Sequence, residues 1–296
     1  MTNDAASAPD VLPRPAEVLA GTPWADLSHG MGAATDVPLN LSRLLDSGRR
    51  RRTGALEFLH HVVHHQNTLY EATVPAALYV AGILSDPRAL RPVDRSTGRP
   101  TIRRGRWRAA LLGWLGAVAS EANDAAADAF RRHGFRPEDH LPFIRLNRLL
   151  PLLLGPVAVH AKDPLLPVRE AAVATCIPLV DDARLRHHRT ALIPSVRQVL
   201  GASARRQHRE RAIDTLEEWG EDTTGIVGRD PWAFIDADLP RRTPARPGPS
   251  KGRKSPRSEG TCEAQYARRV TGRGGVKRHH ADPARLAFGS DRPPTS

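Results

Sequence analysis

The run His60-His61-Val62-Val63-His64-His65 holds more potential ligand chemistry than any other short stretch of the chain. On a helix, His60 and His64 share one face and His61 and His65 another, with Glu57 one turn before the second pair. Neutral imidazoles at i and i+4 can chelate zinc or a related transition metal, and Glu57 supplies a carboxylate oxygen. Glu57, His61 and His65 are therefore the candidate metal set. It falls short of a full coordination shell, and no H-E-x-x-H is present. An exposed polar helix end, where protonated imidazole complements the negative end of the dipole, accounts for the same residues. That reading is preferred, and no metal or other cofactor is expected.

The next segment, His65 to Thr73, also has two readings. Gln66, Thr68, Tyr70 and Glu71 would form a recognition loop between helices, or Asn67 ends one helix and Thr73 caps the next. Cap chemistry explains these residue types and is preferred, with the four residues kept as a candidate interaction surface. Arg51, Arg106, Arg169 and Arg206 each follow a turn, and pairing with the turn aspartates Asp46, Asp86 and Asp163 is expected. The clusters Arg49–Arg52 and Arg103–Arg108 exceed that need, so Arg103, Arg104 and Arg106 are candidates for a basic patch.

Enzyme motifs are missing. Gly248 to Ser255 approximates a phosphate-binding loop without its spacing or a preceding strand, and neither G-x-S-x-G nor G-x-G-x-x-G occurs. Cys176 has the helical phase of a core residue, and His187-His188 are near it only in sequence. Cys176 and Cys262 are too few for a disulfide framework or a four-cysteine metal site, which suits a reducing cytosol. The first residues lack the basic and apolar regions of a signal peptide. The apolar run Leu149 to Val159 is broken by Pro151, Gly155 and Pro156, where a membrane span needs about 20 residues. No membrane association is expected.

The 296 residues carry a formal charge of +12, and residues 241–296 hold 14 Lys or Arg against 4 Asp or Glu. The rest of the chain is therefore nearly neutral. That basic segment, rich in Pro, Gly, Ser and Arg, cannot bury enough apolar area to offset chain entropy and is expected to be disordered. It would make weak, non-specific contacts with nucleic acid, or bind nothing.

The elements that must position these residues all read as helices. Asp36 and Pro38 open a helix running to Asp46, and a second spans about 50–65 with Ala55, Leu59 and Val62 on one face. A third runs from Thr73 to Leu84 and stops at Asp86-Pro87. After a polar insertion, Arg88 to Thr101, come Trp107, Leu111, Trp114, Leu115 and Val118. Glu121 to His133 is an extra helix closed by Gly134. Leu141 to Val159 ends at Asp163-Pro164, and its partner from Pro167 turns Val168, Ala171, Ala172, Cys176 and Leu179 inward. Leu192 to Leu200 precedes a turn at Gly201, and a last helix capped by Ser203 carries Ala212, Ile213, Leu216 and Trp219. These are four helix pairs with a repeat of about 40 residues.

Asp163-Pro164 with Val168-Arg169-Glu170-Ala171-Ala172 resembles the turn and second helix of a HEAT repeat, an armadillo-type α-solenoid unit. Trp24, Ala34 to Pro38 and His65 to Thr73 are similar to uncharacterised bacterial HEAT-repeat proteins, which often carry Gly where this chain has Asn67; Asn also tolerates positive φ. The resemblance spans about 24–220. It implies a curved stack of helix pairs and brings no established activity. The expectation is an all-α protein: a flexible segment 1–22, a HEAT-like α-solenoid over 23–235 with about four helix pairs and an extra helix, and a disordered basic tail 241–296. Its expected role is that of a non-enzymatic, cytoplasmic, monomeric scaffold for another protein. The alternative is a nucleic-acid-binding solenoid using the Arg clusters and the tail.

Overall fold

The computed structural model describes residues 11–90 and 105–228. Within them the chain is predominantly helical: α1 (Pro15–Gly21), α2 (Val37–Arg43), α3 (Arg49–Phe58), α4 (Thr73–Ile83), α5 (Arg106–Ser120), α6 (Asp124–Arg132), α7 (Leu141–Ala158), α8 (Leu166–Val180), α9 (Arg189–Ser195) and α10 (Arg206–Glu218). The described strand is one two-residue antiparallel ladder, β1 (Ser28–His29) with β2 (Gly32–Ala33), in register Ser28↔Ala33 and His29↔Gly32. The basic segment 241–296 and most of the expected insertion lie outside the described residues.

Four turns between helices are built the same way. A short side chain accepts the N–H two residues on, which replaces a backbone partner that a helix start cannot supply. Asp46 accepts from Gly48 (2.6 Å), Asp86 from Arg88 (2.8 Å), Asp163 from Leu165 (2.8 Å), and Ser203 from Arg205 (3.1 Å). The carbonyl of the same residue then accepts from an arginine of the following helix: Arg52 on Asp46 (3.0 Å), Arg108 on Asp86 (3.2 Å), Arg169 on Asp163 (2.7 Å) and Arg209 on Ser203 (2.7 Å). Each guanidinium thus fastens the start of one helix to the turn before it by charge-assisted bonds. Asp46 and Asp86 are 40 positions apart, as are Asp163 and Ser203.

Helices α5 and α8 form the centre. They run parallel, since Gly105 abuts Val168 and Leu165 at one end while Gly116 abuts Thr175 further along both helices. A Cβ at Gly116 would stand 3.0 Å from Thr175 Oγ1, and that hydroxyl donates to the Leu112 carbonyl at 2.7 Å. Gly105 has φ +83, a left-handed start that glycine supplies without strain. Trp107 and Trp114 are fully buried and donate their indole N–H groups to the Leu44 and Leu59 carbonyls, which ties α5 to the α2–α3 pair. Together with the turn that follows it, α7 makes a 22-residue segment, Leu141–Lys162, long and apolar enough by composition to cross a membrane. Phe143, Leu146, Leu150, Leu153 and Val157 form its buried stripe at helical spacing, the pattern of an amphipathic helix laid against a core.

Prolines inside helices leave carbonyls without an N–H partner, and arginines fill two of these gaps. Pro151 strands the Asn147 carbonyl, which accepts from Arg184 at 2.6 Å, and Pro178 strands that of Ala174, which accepts from Arg211 at 3.3 Å. The arginine excess over lysine is thereby partly structural.

Several expectations change in detail. Residues 1–22, expected to be flexible, contain α1, whose Val18 is buried and whose Pro15 lies against Gly82 of α4. Asp36 makes no cap bond, because its carboxylate is held by His29 Nε2 at 2.9 Å. The extra helix begins at Asp124 rather than Glu121, since Asn123 accepts the Ala126 N–H at 2.9 Å as its N-cap. Gly134, at φ +81, follows this helix as expected. Ser203 serves the turn rather than the helix N-terminus; its hydroxyl also bonds the buried Glu170 carboxylate at 2.5 Å.

Candidate functional site

The histidine-rich end of α3 does not continue as an α-helix. Leu59–Val63 form a turn of π-helix, in which the His64 N–H reaches back five residues to the Leu59 carbonyl (2.9 Å). One residue is thereby inserted into the helical phase. Val63 and His64 turn inward, and Val62, expected in the core, is left half-buried. The same shift undoes the Glu57–His61–His65 alignment, which needs a regular helix. His65 lies beyond the helix end and its Nδ1 bonds the His61 carbonyl at 2.8 Å. Among the described residues no group of three or more His, Cys, Asp or Glu could hold a metal ion.

His64 is 3% exposed and its Nε2 has no hydrogen-bond partner. Burial, reinforced by the charge of His60, pushes its pKa down to about 4, so the ring is neutral at physiological pH. His60 is shifted down for the same first reason, burial, and then by His61.

Beyond His64 the chain takes two consecutive left-handed residues, Gln66 (φ 51) and Asn67 (φ 58), which present Gln66, Asn67 and Thr68 to solvent. Thr73 does not cap α4. Its buried hydroxyl accepts the Tyr70 N–H (2.9 Å) and donates to the Val63 carbonyl (2.6 Å), stitching the loop to the π turn. The β1–β2 ladder holds the loop from the other side: Gly30 N–H donates to Val62, Ala72 N–H to Ser28, and Glu71 accepts both Ser28 N–H and Oγ at 3.0 Å. Of the expected recognition set, Gln66 and Thr68 are exposed, Tyr70 is half-buried, and Glu71 has this local structural task.

The arginine expectation holds for Arg51, whose guanidinium meets the Asp46 carboxylate at 3.2 Å. Arg169 uses the Asp163 carbonyl instead, and Arg206 pairs with Glu210 in its own helix (2.8 Å). Arg106 opens α5 half-buried, while Arg103 and Arg104 lie outside the described residues. Sequence reasoning passed over the buried partners Arg52, which lies over the Trp107 ring, and Arg108, which faces the Asp163 carboxylate at 3.5 Å. Cys176 is 2% exposed, and burial raises its thiol pKa to about 12.

A second feature was unforeseen. The C-terminal ends of α5 and α8 meet one face of α10 around a cleft of about 400 Å³ whose lining includes Pro178, Asp181, Glu210, Asp214, Thr215 and Glu218. The one advance signal is the spacing of Glu210, Asp214 and Glu218 at i, i+4 and i+8, which sets three carboxylates on one face of α10. Asp181 is fixed by Arg189 (2.7 Å) and Trp219 (3.2 Å); burial nevertheless raises its pKa, with those two partners opposing. A larger recess of about 570 Å³ beside Gly201 is flanked by Arg197 and Arg209, but both donate to backbone carbonyls. Comparison of the chain with protein-family models, curated proteins and solved structures finds no match.

Proposed function

We propose that the chain is a non-enzymatic α-solenoid scaffold of HEAT-like helix pairs that binds another protein, acting as a cytoplasmic monomer. The observation that carries this is the turn lock repeated at Asp46, Asp86, Asp163 and Ser203, with α5 and α8 as parallel second helices in close contact. Units joined in this way offer an extended helical surface, which suits recognition of a macromolecule better than chemistry on a small substrate. Two further points favour the reading. The buried Cys176 thiol is a poor nucleophile. The arginines Arg52, Arg108, Arg169 and Arg209 are spent on turn carbonyls rather than held free for phosphates. Purification of the tagged full chain from native lysate, with and without nuclease, tests the proposal. A protein retained after nuclease treatment is expected. Recovery of nucleic acid alone, or loss of every partner on nuclease treatment, would replace it with the nucleic-acid reading.

A further inference from the structure

The cleft between the ends of α5 and α8 and one face of α10 combines three features. Its charge is the first: Asp181, Glu210, Asp214 and Glu218 face it against one guanidinium, Arg211, which is itself turned to the Ala174 carbonyl. Glu210 and Asp181 bond Arg206 and Arg189, and Asp214 is engaged as well, yet a carboxylate has about four acceptor directions and keeps capacity beyond such bonds. The second is the backbone. Ser120 ends α5 and Asp181 follows the last residue of α8, so two negative dipole ends border the space, partly offset by the start of α6 at Asn123. The third is Thr215, which lines the cleft, is only 5% exposed, and whose hydroxyl bonds to nothing among the described residues. Its oxygen is not among the enclosed unpartnered atoms, so it opens on the cleft and is available to a guest there. The remaining wall, Ile177 and Pro178, is apolar.

We propose that this cleft receives an arginine or lysine side chain from a basic segment of a partner protein, a specificity that rests on the protein-binding reading above. The carboxylates and helix ends attract the cationic head, Thr215 accepts one of its N–H groups, and Ile177 and Pro178 cover the methylene stem. The same field repels phosphate, so a nucleic-acid strand is excluded from this surface.

The test is fluorescence anisotropy of the full chain with a labelled peptide of alternating arginine and serine, at about 0.15 M salt. The controls are the lysine–serine and glutamate–serine peptides. The arginine and lysine peptides should bind through the cleft, and any binding of the glutamate peptide, drawn by the basic segment 241–296, should not respond to the cleft variants. Asp214→Asn with Glu218→Gln should weaken binding about tenfold, and Thr215→Val about threefold, while Asp26→Asn with Glu57→Gln, at exposed positions in the N-terminal part of the chain, should change nothing. Gln207→Glu adds a carboxylate to the rim without touching the core and should tighten binding a few-fold. Equal affinity of the cleft variant and the unaltered chain, an equal loss in the remote variant, or no gain from Gln207→Glu would overturn the proposal. If nuclease-resistant protein partners are captured while the peptide ignores the cleft, this inference fails and the scaffold reading stands. If the peptide binds through the cleft but no protein is captured, the scaffold reading fails instead.

Discussion

Acidification should act on this fold through His64 before it acts on most of the carboxylates. In the unfolded chain an imidazole titrates near 6.5, whereas the buried His64 ring has been pushed down to about 4. The neutral form is thus the one the fold accepts. Its contribution is complete above about pH 6.5 and is lost progressively as pH falls toward 4, because the unfolded state takes up a proton that the folded state refuses. At about pH 5 the unfolded imidazole is almost fully charged and the folded one is about nine-tenths neutral. The resulting loss is about 2 kcal/mol relative to about pH 7.5, out of the 5–15 kcal/mol typical of a domain. His64→Leu removes this proton uptake. Since Nε2 has no hydrogen bond to lose, the substitution should cost less than about 1 kcal/mol at neutral pH. The assay is urea unfolding of both chains at the two pH values. His60 shifts in the same direction and remains in both, so most of its own contribution cancels in the difference and its coupling to His64 stays with the His64 contribution. The stability gap between the two chains should move by about 2 kcal/mol in favour of His64→Leu on going to acid. Parallel stability–pH curves would refute the burial of a neutral imidazole with an unpartnered Nε2 beneath the 65–73 loop.

Three further outcomes follow from packing and charge. Arg108→Met leaves Asp163 facing a buried space without its cation and the Asp86 carbonyl without its donor, and should cost about 3 kcal/mol in urea unfolding. Gly116→Val should cost about 1–3 kcal/mol, because α5 and α8 must part around the new side chain, whereas Gly113→Ala on the open face of α5 should gain up to about 1 kcal/mol from helix propensity; similar melting temperatures for the two would contradict the close approach. In a Cys262→Ser chain, Cys176 should resist maleimide at pH 8 until denaturant is added, while labelling of the native chain as fast as of a free thiol would contradict its burial.

Much of the helical plan was legible from the sequence, because apolar spacing over ten or more residues reports burial directly. Trp107, Leu111, Trp114, Leu115 and Val118 are all buried on α5, as are Val168, Ala172, Cys176 and Leu179 on α8. Departures occur where a single side chain has two possible partners. Asp36 reads as an N-cap until the fold brings His29 beside it, and Thr73 reads as a cap until the Val63 carbonyl competes for its hydroxyl. The π turn at Leu59–Val63 has no composition of its own, and its one-residue phase shift moves Val63 inward in place of Val62 and scatters the candidate metal set. Helix α1 was hidden by its length, seven residues, too few to establish a period. The acidic cleft was readable only on α10; Asp181 and the ends of α5 and α8 reach that face through tertiary packing.

The most direct test of the scaffold account is to place a photo-crosslinking residue at Gln207, on the cleft rim, and separately at the exposed Phe135, in the full-length chain expressed in cells. Lysine-directed reagents are unsuitable, since Lys162 is the only lysine before residue 241. The account predicts a protein adduct from position 207 that survives nuclease, is absent or much weaker from position 135, and carries its cross-link within a lysine- or arginine-rich segment of the partner. Crosslinks from position 207 to nucleic acid, or to no macromolecule at all, would contradict it.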